Sequence, residues 1–131
     1  MAIAVAHRIP YAATASISHP LDYINKVRKA LETDGPTLIH VLTPCTLGWR
    51  YPTSQTIRVA RLAVETRYFP IYEVENGRVR INVRVPKPKP LEEFLSAQGR
   101  FKHLLKPENR HIVESLKRQV EENWERLTKL E

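Results

Sequence analysis

The sequence predicts an α/β fold: a partial parallel sheet built on a βαβ unit, carrying an antiparallel hairpin and a helical C-terminal tail. Three observations predict it. Two strand-like runs flank a helix-periodic segment, and strand, helix, strand over about thirty residues implies a parallel pair. Asn76-Gly77 lies between two alternating runs as a two-residue hairpin turn. Beyond Pro107, apolar residues recur at helical spacing.

In chain order, Ile3, Val5 and the alanines of the first seven residues are apolar, with no cap or turn before them, as though an element had been cut. Ile9 to Ile17 reads as a strand of small residues that a neighbour can approach closely. His19-Pro20-Leu21-Asp22 opens a helix, with Asp22 as its cap or first-turn acid. Leu21, Ile24, Val27, Ala30 and Leu31 define its expected buried face, with Lys26, Arg28 and Lys29 toward solvent or the C-terminal end. Asp34-Gly35-Pro36 stops this helix, because glycine accepts the left-handed conformation and proline cannot continue a helix. Thr37 to Leu42 is then an apolar, β-branched run, expected to be a buried strand with His40 as a hydrogen-bonded core histidine.

Pro52-Thr53-Ser54 begins another helix, with Ile57, Ala60, Ala63 and Val64 on its apolar face and an end near Tyr68-Phe69-Pro70. The hairpin strands are Phe69 to Glu75 and Arg78 to Val85. The second sets Val79, Ile81, Val83 and Val85 against Arg78, Arg80, Asn82 and Arg84, a half-exposed strand with a basic outer face. Arginines so placed can grip phosphate or carboxylate; they also guard an exposed sheet edge, the favoured reading. Pro86-Lys87-Pro88-Lys89-Pro90 is a stiff spacer. Leu91, Phe94 and Leu95 form a short helix ending near Gly99. Pro107-Glu108 opens the last helix, whose face of Ile112, Leu116, Val120, Trp124 and Leu127 is expected to dock on a partner. The chain thus divides into residues 1–85 and a linker with a helical arm, residues 86–131.

No apolar run approaches membrane-spanning length. Met1 to Ala6 lacks the length and basic start of a signal peptide. A single cysteine cannot close an intrachain disulfide, so a reducing compartment, the cytoplasm, is expected. A net charge of +7 favours anionic partners without choosing among them.

That cysteine, Cys45, lies just beyond the strand end at Thr43-Pro44, where open parallel sheets collect ligands. Gly48 is expected to let the loop turn, and Trp49 to anchor it. Position alone does not make a site, because a lone cysteine is usually a small buried hydrophobe. The five histidines, His7, His19, His40, His103 and His111, show no metal-ligand spacing. No nucleophile elbow, phosphate loop or carboxylate pair stands out.

The wider stretch is more specific. Ile39-His40-Val41-Leu42-Thr43-Pro44-Cys45-Thr46-Leu47-Gly48-Trp49 resembles a segment of the thiamine-diphosphate-binding (beta) subunit of 2-oxoacid:ferredoxin oxidoreductases, most closely pyruvate:ferredoxin oxidoreductase (pyruvate synthase). The likeness extends to His7-Arg8-Ile9-Pro10-Tyr11-Ala12-Ala13-Thr14-Ala15-Ser16 before it. It continues after it in Ala60-Arg61-Leu62-Ala63-Val64-Glu65-Thr66, Pro70 to Gly77, and Gln98-Gly99-Arg100-Phe101-Lys102-His103-Leu104. It covers nearly the whole chain but only the C-terminal part of the family subunit, so residues 1–85 resemble the C-terminal portion of the thiamine-diphosphate-binding domain.

The resemblance implies oxidative decarboxylation of a 2-oxoacid, pyruvate first, on thiamine diphosphate with magnesium. It implies acyl transfer to coenzyme A and electrons leaving through iron–sulfur clusters to ferredoxin, in a complex with other subunits. Cys45 matches the last of four ligands to a 4Fe-4S cluster, with Gly48 and Trp49 shaping its loop. One thiolate cannot hold such a cluster, so three ligands are expected from another chain or a missing N-terminal half, and the chain alone is expected to be inactive. The family's Gly-Asp-Gly motif with its downstream asparagine has no counterpart, and Thr46 stands where members often carry proline. Two rivals remain at this point. One is a small basic protein binding nucleic acid through Arg78, Arg80, Arg84 and the lysine-rich linker, without the aromatic platform such binding uses. The other is a non-catalytic assembly remnant.

Overall fold

The computed structural model describes all 131 residues, Met1–Glu131. Its elements in chain order are α1 (Ala2–Ala6), β1 (Tyr11–Ser16), α2 (Pro20–Glu32), β2 (Thr37–Leu42), α3 (Thr46–Trp49), α4 (Thr56–Glu65), β3 (Tyr72–Glu75), β4 (Arg78–Ile81), α5 (Leu91–Ser96) and α6 (Arg110–Leu130). Short 3₁₀ turns cover Thr53–Gln55, Gly99–Leu105 and Pro107–Asn109. The strands form one sheet in the order β2-β1-β3-β4. β1 and β2 run parallel, from Tyr11 opposite Thr37 to Ser16 opposite Leu42, with α2 between them in sequence. That is the expected βαβ unit. β3 pairs antiparallel with β1 and with β4, and Asn76 and Gly77 turn the hairpin at φ 49° and 80°. Positive φ at both central residues is what a tight hairpin with the native twist requires. β4 is shorter than expected, because the N–H groups of Asn82 and Val83 both leave the ladder to donate to the Ile71 carbonyl.

One face of the sheet carries the main core. Val59, Leu62 and Ala63 of α4, Leu91, Phe94 and Leu95 of α5, Leu104 and Val113 pack together with Tyr51, and Leu42 and Phe69 close on them. Ile57, expected inside, is exposed; the register of α4 instead turns Val59 and Leu62 inward. A second cluster joins Ile81 of β4 to Trp124 and Leu127 of α6. Arg67 sits 4.6 Å over the Trp124 ring and donates to Glu121 at 3.0 Å. The last helix therefore docks on its own chain, not on a partner as expected. Its inward positions are Val113, Trp124 and Leu127, while Ile112 is half exposed.

The other face departs most from expectation. α2 is turned over: Lys26 is 2% exposed, while Leu21, Ile24, Val27 and Leu31 face solvent. The cause is the polar floor beneath it. Lys26 Nζ donates to the Thr14 carbonyl at 2.9 Å and to Asp22 at 2.8 Å. Lys29 Nζ reaches Glu75 at 2.6 Å and Glu73 at 3.4 Å, and the Tyr11 hydroxyl donates to Glu73 at 2.8 Å. Covering this floor with leucines would leave buried polar groups unpaired, at about 1–3 kcal/mol each. The lysine side satisfies them, so the apolar side is left outward. β2 is likewise not a buried strand but a sheet edge with exposed or half-exposed residues. His40 is exposed and meets the Phe69 ring edge-on at 5.4 Å, so it is no core histidine. No helix is long and apolar enough to cross a membrane.

Candidate functional site: the Cys45 loop

β2 delivers the chain to Thr43-Pro44, and Cys45 then caps the single turn of α3. Its extended backbone (φ −93°, ψ 117°) aims the sulfur back along that turn, where the Gly48 N–H donates to Sγ at 3.4 Å. The Cys45 carbonyl accepts from the Trp49 N–H at 2.9 Å. The thiol is exposed. The sequence places the turn at Gly48, but the left-handed residue is Arg50, at φ 57°. Gly48 instead supplies the donor to the sulfur and keeps the adjoining space open, since a Cβ there would lie 3.5 Å from Sγ.

Trp49 anchors the loop as expected. Its ring packs edge-on against Phe94 at 6.2 Å and Tyr51 at 6.5 Å, reaching the main core. A second segment clamps it from outside. The Arg100 guanidinium stacks 3.9 Å from the Trp49 ring and 4.4 Å from Phe101, and donates through Nε to Gln98 Oε1 at 2.9 Å. Burial against these rings lowers the Arg100 pKa. Gln98 is fully buried and donates to the Phe94 carbonyl at 2.7 Å. The Gly99 N–H donates to the Arg50 carbonyl at 2.9 Å, and a Cβ at Gly99 would come within 2.7 Å of Arg50 Cβ. Only glycine allows that approach. Reading the residues in isolation misses the roles of Arg50, Gly99 and Arg100; a glycine between a helix end and an Arg-Phe dipeptide is the one local signal.

The arrangement presents one sulfur, fixed in direction and open to solvent, which suits one corner of a thiolate-held metal group. No group of three or more His, Cys, Asp or Glu side chains converges anywhere in the structure. Asp34-Gly35 forms the turn between α2 and β2, with Gly35 at φ 103°, the helix-stop role read from the sequence. Of the arginines expected on the outer strand, Arg80 of β4 lies 3.7 Å from Glu73, while Arg84 falls beyond the strand and bonds Glu131 at 2.6 Å. β4 is a true edge, in keeping with the protective reading of that row. A groove of about 810 Å³ between α1, the hairpin and α6 is lined by none of the Cys45-loop residues.

Fold and site together define an α/β layer whose one cysteine is exposed on a short, fixed turn at the end of an edge strand. Comparison with known proteins places that layer among its relatives. No protein-family model matches the chain. The ketoisovalerate oxidoreductase subunit VorB of Pyrococcus furiosus is 54% identical over 130 residues, 98% of this chain and 40% of that subunit. The pyruvate synthase subunit PorB of Thermotoga maritima is 48% identical over the same shares. PorB of Methanocaldococcus jannaschii is 55% identical over 102 residues, 78% of this chain and 34% of that subunit. The chain is thus related to the beta subunits of the 2-oxoacid:ferredoxin oxidoreductases, the group to which the Cys45 stretch pointed. It spans about two-fifths of the length of the curated relatives it matches.

Proposed function

We propose that the chain serves as the C-terminal part of the beta subunit of a 2-oxoacid:ferredoxin oxidoreductase, and that Cys45 is its one ligand to a 4Fe-4S cluster. The 54% identity over 98% of the chain carries this reading. The exposed sulfur on a fixed turn supports the ligand role. In the proposed reaction the carboxylate of a 2-oxoacid leaves as carbon dioxide, the acyl group passes to coenzyme A, and two electrons pass to two ferredoxins. A bound cluster would supply one-electron transfer. This chain's own residues would hold and shield it: Cys45 would present its sulfur, the Gly48 N–H donates to that sulfur, and Trp49 with Arg100 fixes the loop to the core. Under this reading the residues for thiamine diphosphate, magnesium and the other three thiolates lie outside the chain. Relatives are named for pyruvate and for ketoisovalerate at similar identity, so pyruvate is proposed as the substrate with ketoisovalerate as its competitor.

The test is made on the assembled complex. Wild type is expected to hold iron and sulfide in equal amounts and to reduce ferredoxin with pyruvate and coenzyme A, while Cys45→Ser loses a cluster's worth of iron. Equal iron and sulfide in both proteins would remove Cys45 from the ligand set. A higher kcat/KM with ketoisovalerate would correct the substrate alone.

A further inference from the structure

The outer stripe of α2 is apolar and bare. Leu21 is 77% exposed, Ile24 47%, Val27 36% and Leu31 82%. Helical spacing puts these four side by side, opposite Asp22, Lys26 and Lys29. The buried Lys26 bonds fix this orientation, since rotating the stripe inward would carry a paired ammonium out and strand the Thr14 carbonyl. Beside α2, β2 is a sheet edge that no strand covers. An aliphatic stripe next to an open edge strand is an arrangement that isolated chains avoid, because it templates association.

We propose that α2 and the β2 edge are the docking surface for the rest of the subunit, the polypeptide corresponding to the three-fifths of VorB and PorB that this chain does not span. This rests on the reading of the preceding subsection. Two observations choose that occupant. The first is length: the relatives hold more polypeptide outside the aligned region than within it. The second is position. Parallel pairing sets Ser16 opposite Leu42, so α2 begins, with Leu21, at the same end of the sheet as Cys45. A polypeptide seated along the stripe therefore reaches the end of the sheet that carries the Cys45 loop. A second copy of this chain would bring one further cysteine, two thiolates where four are needed.

The experiment co-expresses the full chain with the segment of Pyrococcus furiosus VorB outside the aligned region. The docking predicts a one-to-one complex by light scattering, with slowed amide exchange in α2 and β2. The double variant Leu21→Glu/Leu31→Glu should weaken it at least about tenfold, equivalent to 1.4 kcal/mol. Leu130→Glu, at an exposed leucine on α6, should not. Circular dichroism of the free chain checks that both variants fold. No complex, a complex indifferent to the double variant, or a homodimer that the double variant dissolves would each overturn the proposal. An iron-free complex with α2 protected supports the docking and sinks the cluster assignment, so the two readings fail separately.

Discussion

At the scale of single residues, the chain invests its buried polar chemistry beneath α2, not at Cys45. Glu73 is the centre of that network. Burial opposes its ionisation, yet the Tyr11 hydroxyl, the Lys29 ammonium and the Asn82 amide outweigh burial and hold its carboxyl below the usual range. The Arg80 guanidinium, 3.7 Å away, adds to the same side. A carboxylate with a depressed folded pKa contributes stability that is present above its unfolded value, near 4.5, and is lost as pH falls through the folded value. Glu73→Gln is therefore expected to lower stability at pH 7 by about 2 kcal/mol, the worth of a hydrogen bond to a charged group. The difference from wild type should shrink as pH is lowered below about 4.5, since protonated Glu73 and glutamine are alike in charge. Urea unfolding of both proteins from pH 7 to pH 3 measures it; a constant difference would mean that the carboxylate's charge is irrelevant.

At the scale of elements, the cysteine loop and the segment before the last helix act as one unit. Gly99 meets the Arg50 backbone too closely for any side chain, and Arg100 lies on Trp49. Gly99→Ala is expected to destabilise by about 1–3 kcal/mol, as overpacking against backbone does. It should also raise the rate of Cys45 alkylation by loosening α3; unchanged midpoint and rate together would show that the clamp is idle. The same elements show what a sequence reveals. The βαβ unit, the Asn76-Gly77 hairpin, α5 and the extent of α6 were legible, because turn chemistry and periodicity are local properties. The Cys45 stretch was legible as a resemblance. The orientation of α2 was not: periodicity says which side chains share a face, and only the polar floor of Tyr11, Thr14 and Glu73 says which face goes inward. For β2 the reason is similar, since an apolar run does not reveal whether a strand has one neighbour or two. The role of Arg50 depends on Gly99, 49 positions away in sequence, and no local pattern encodes it.

At the scale of the whole molecule, the two faces of the sheet are held by different forces, and that sets where the chain opens first. The α4, α5 and α6 side encloses nine buried apolar residues in one cluster, whereas α2 buries only Lys26. Burying a large aliphatic side chain is worth about 1.5–3 kcal/mol. A partly exposed ion pair contributes nearer 1 kcal/mol after solvent screening, as with Lys29 and Glu75. In the isolated chain, α2 should therefore open without the rest. Native-state hydrogen exchange in rising denaturant is expected to show the α2 amides exchanging through an opening at least about 2 kcal/mol below that of α4, in keeping with local opening where few apolar contacts hold an element. Adding the polypeptide proposed to cover Leu21, Ile24, Val27 and Leu31 should raise the α2 opening toward that of α4, because the stripe then gains the burial it lacks. If α2 and α4 already exchange together in the free chain, the sheet is one cooperative unit. The polar floor would then be stabilising α2 as fully as an apolar core.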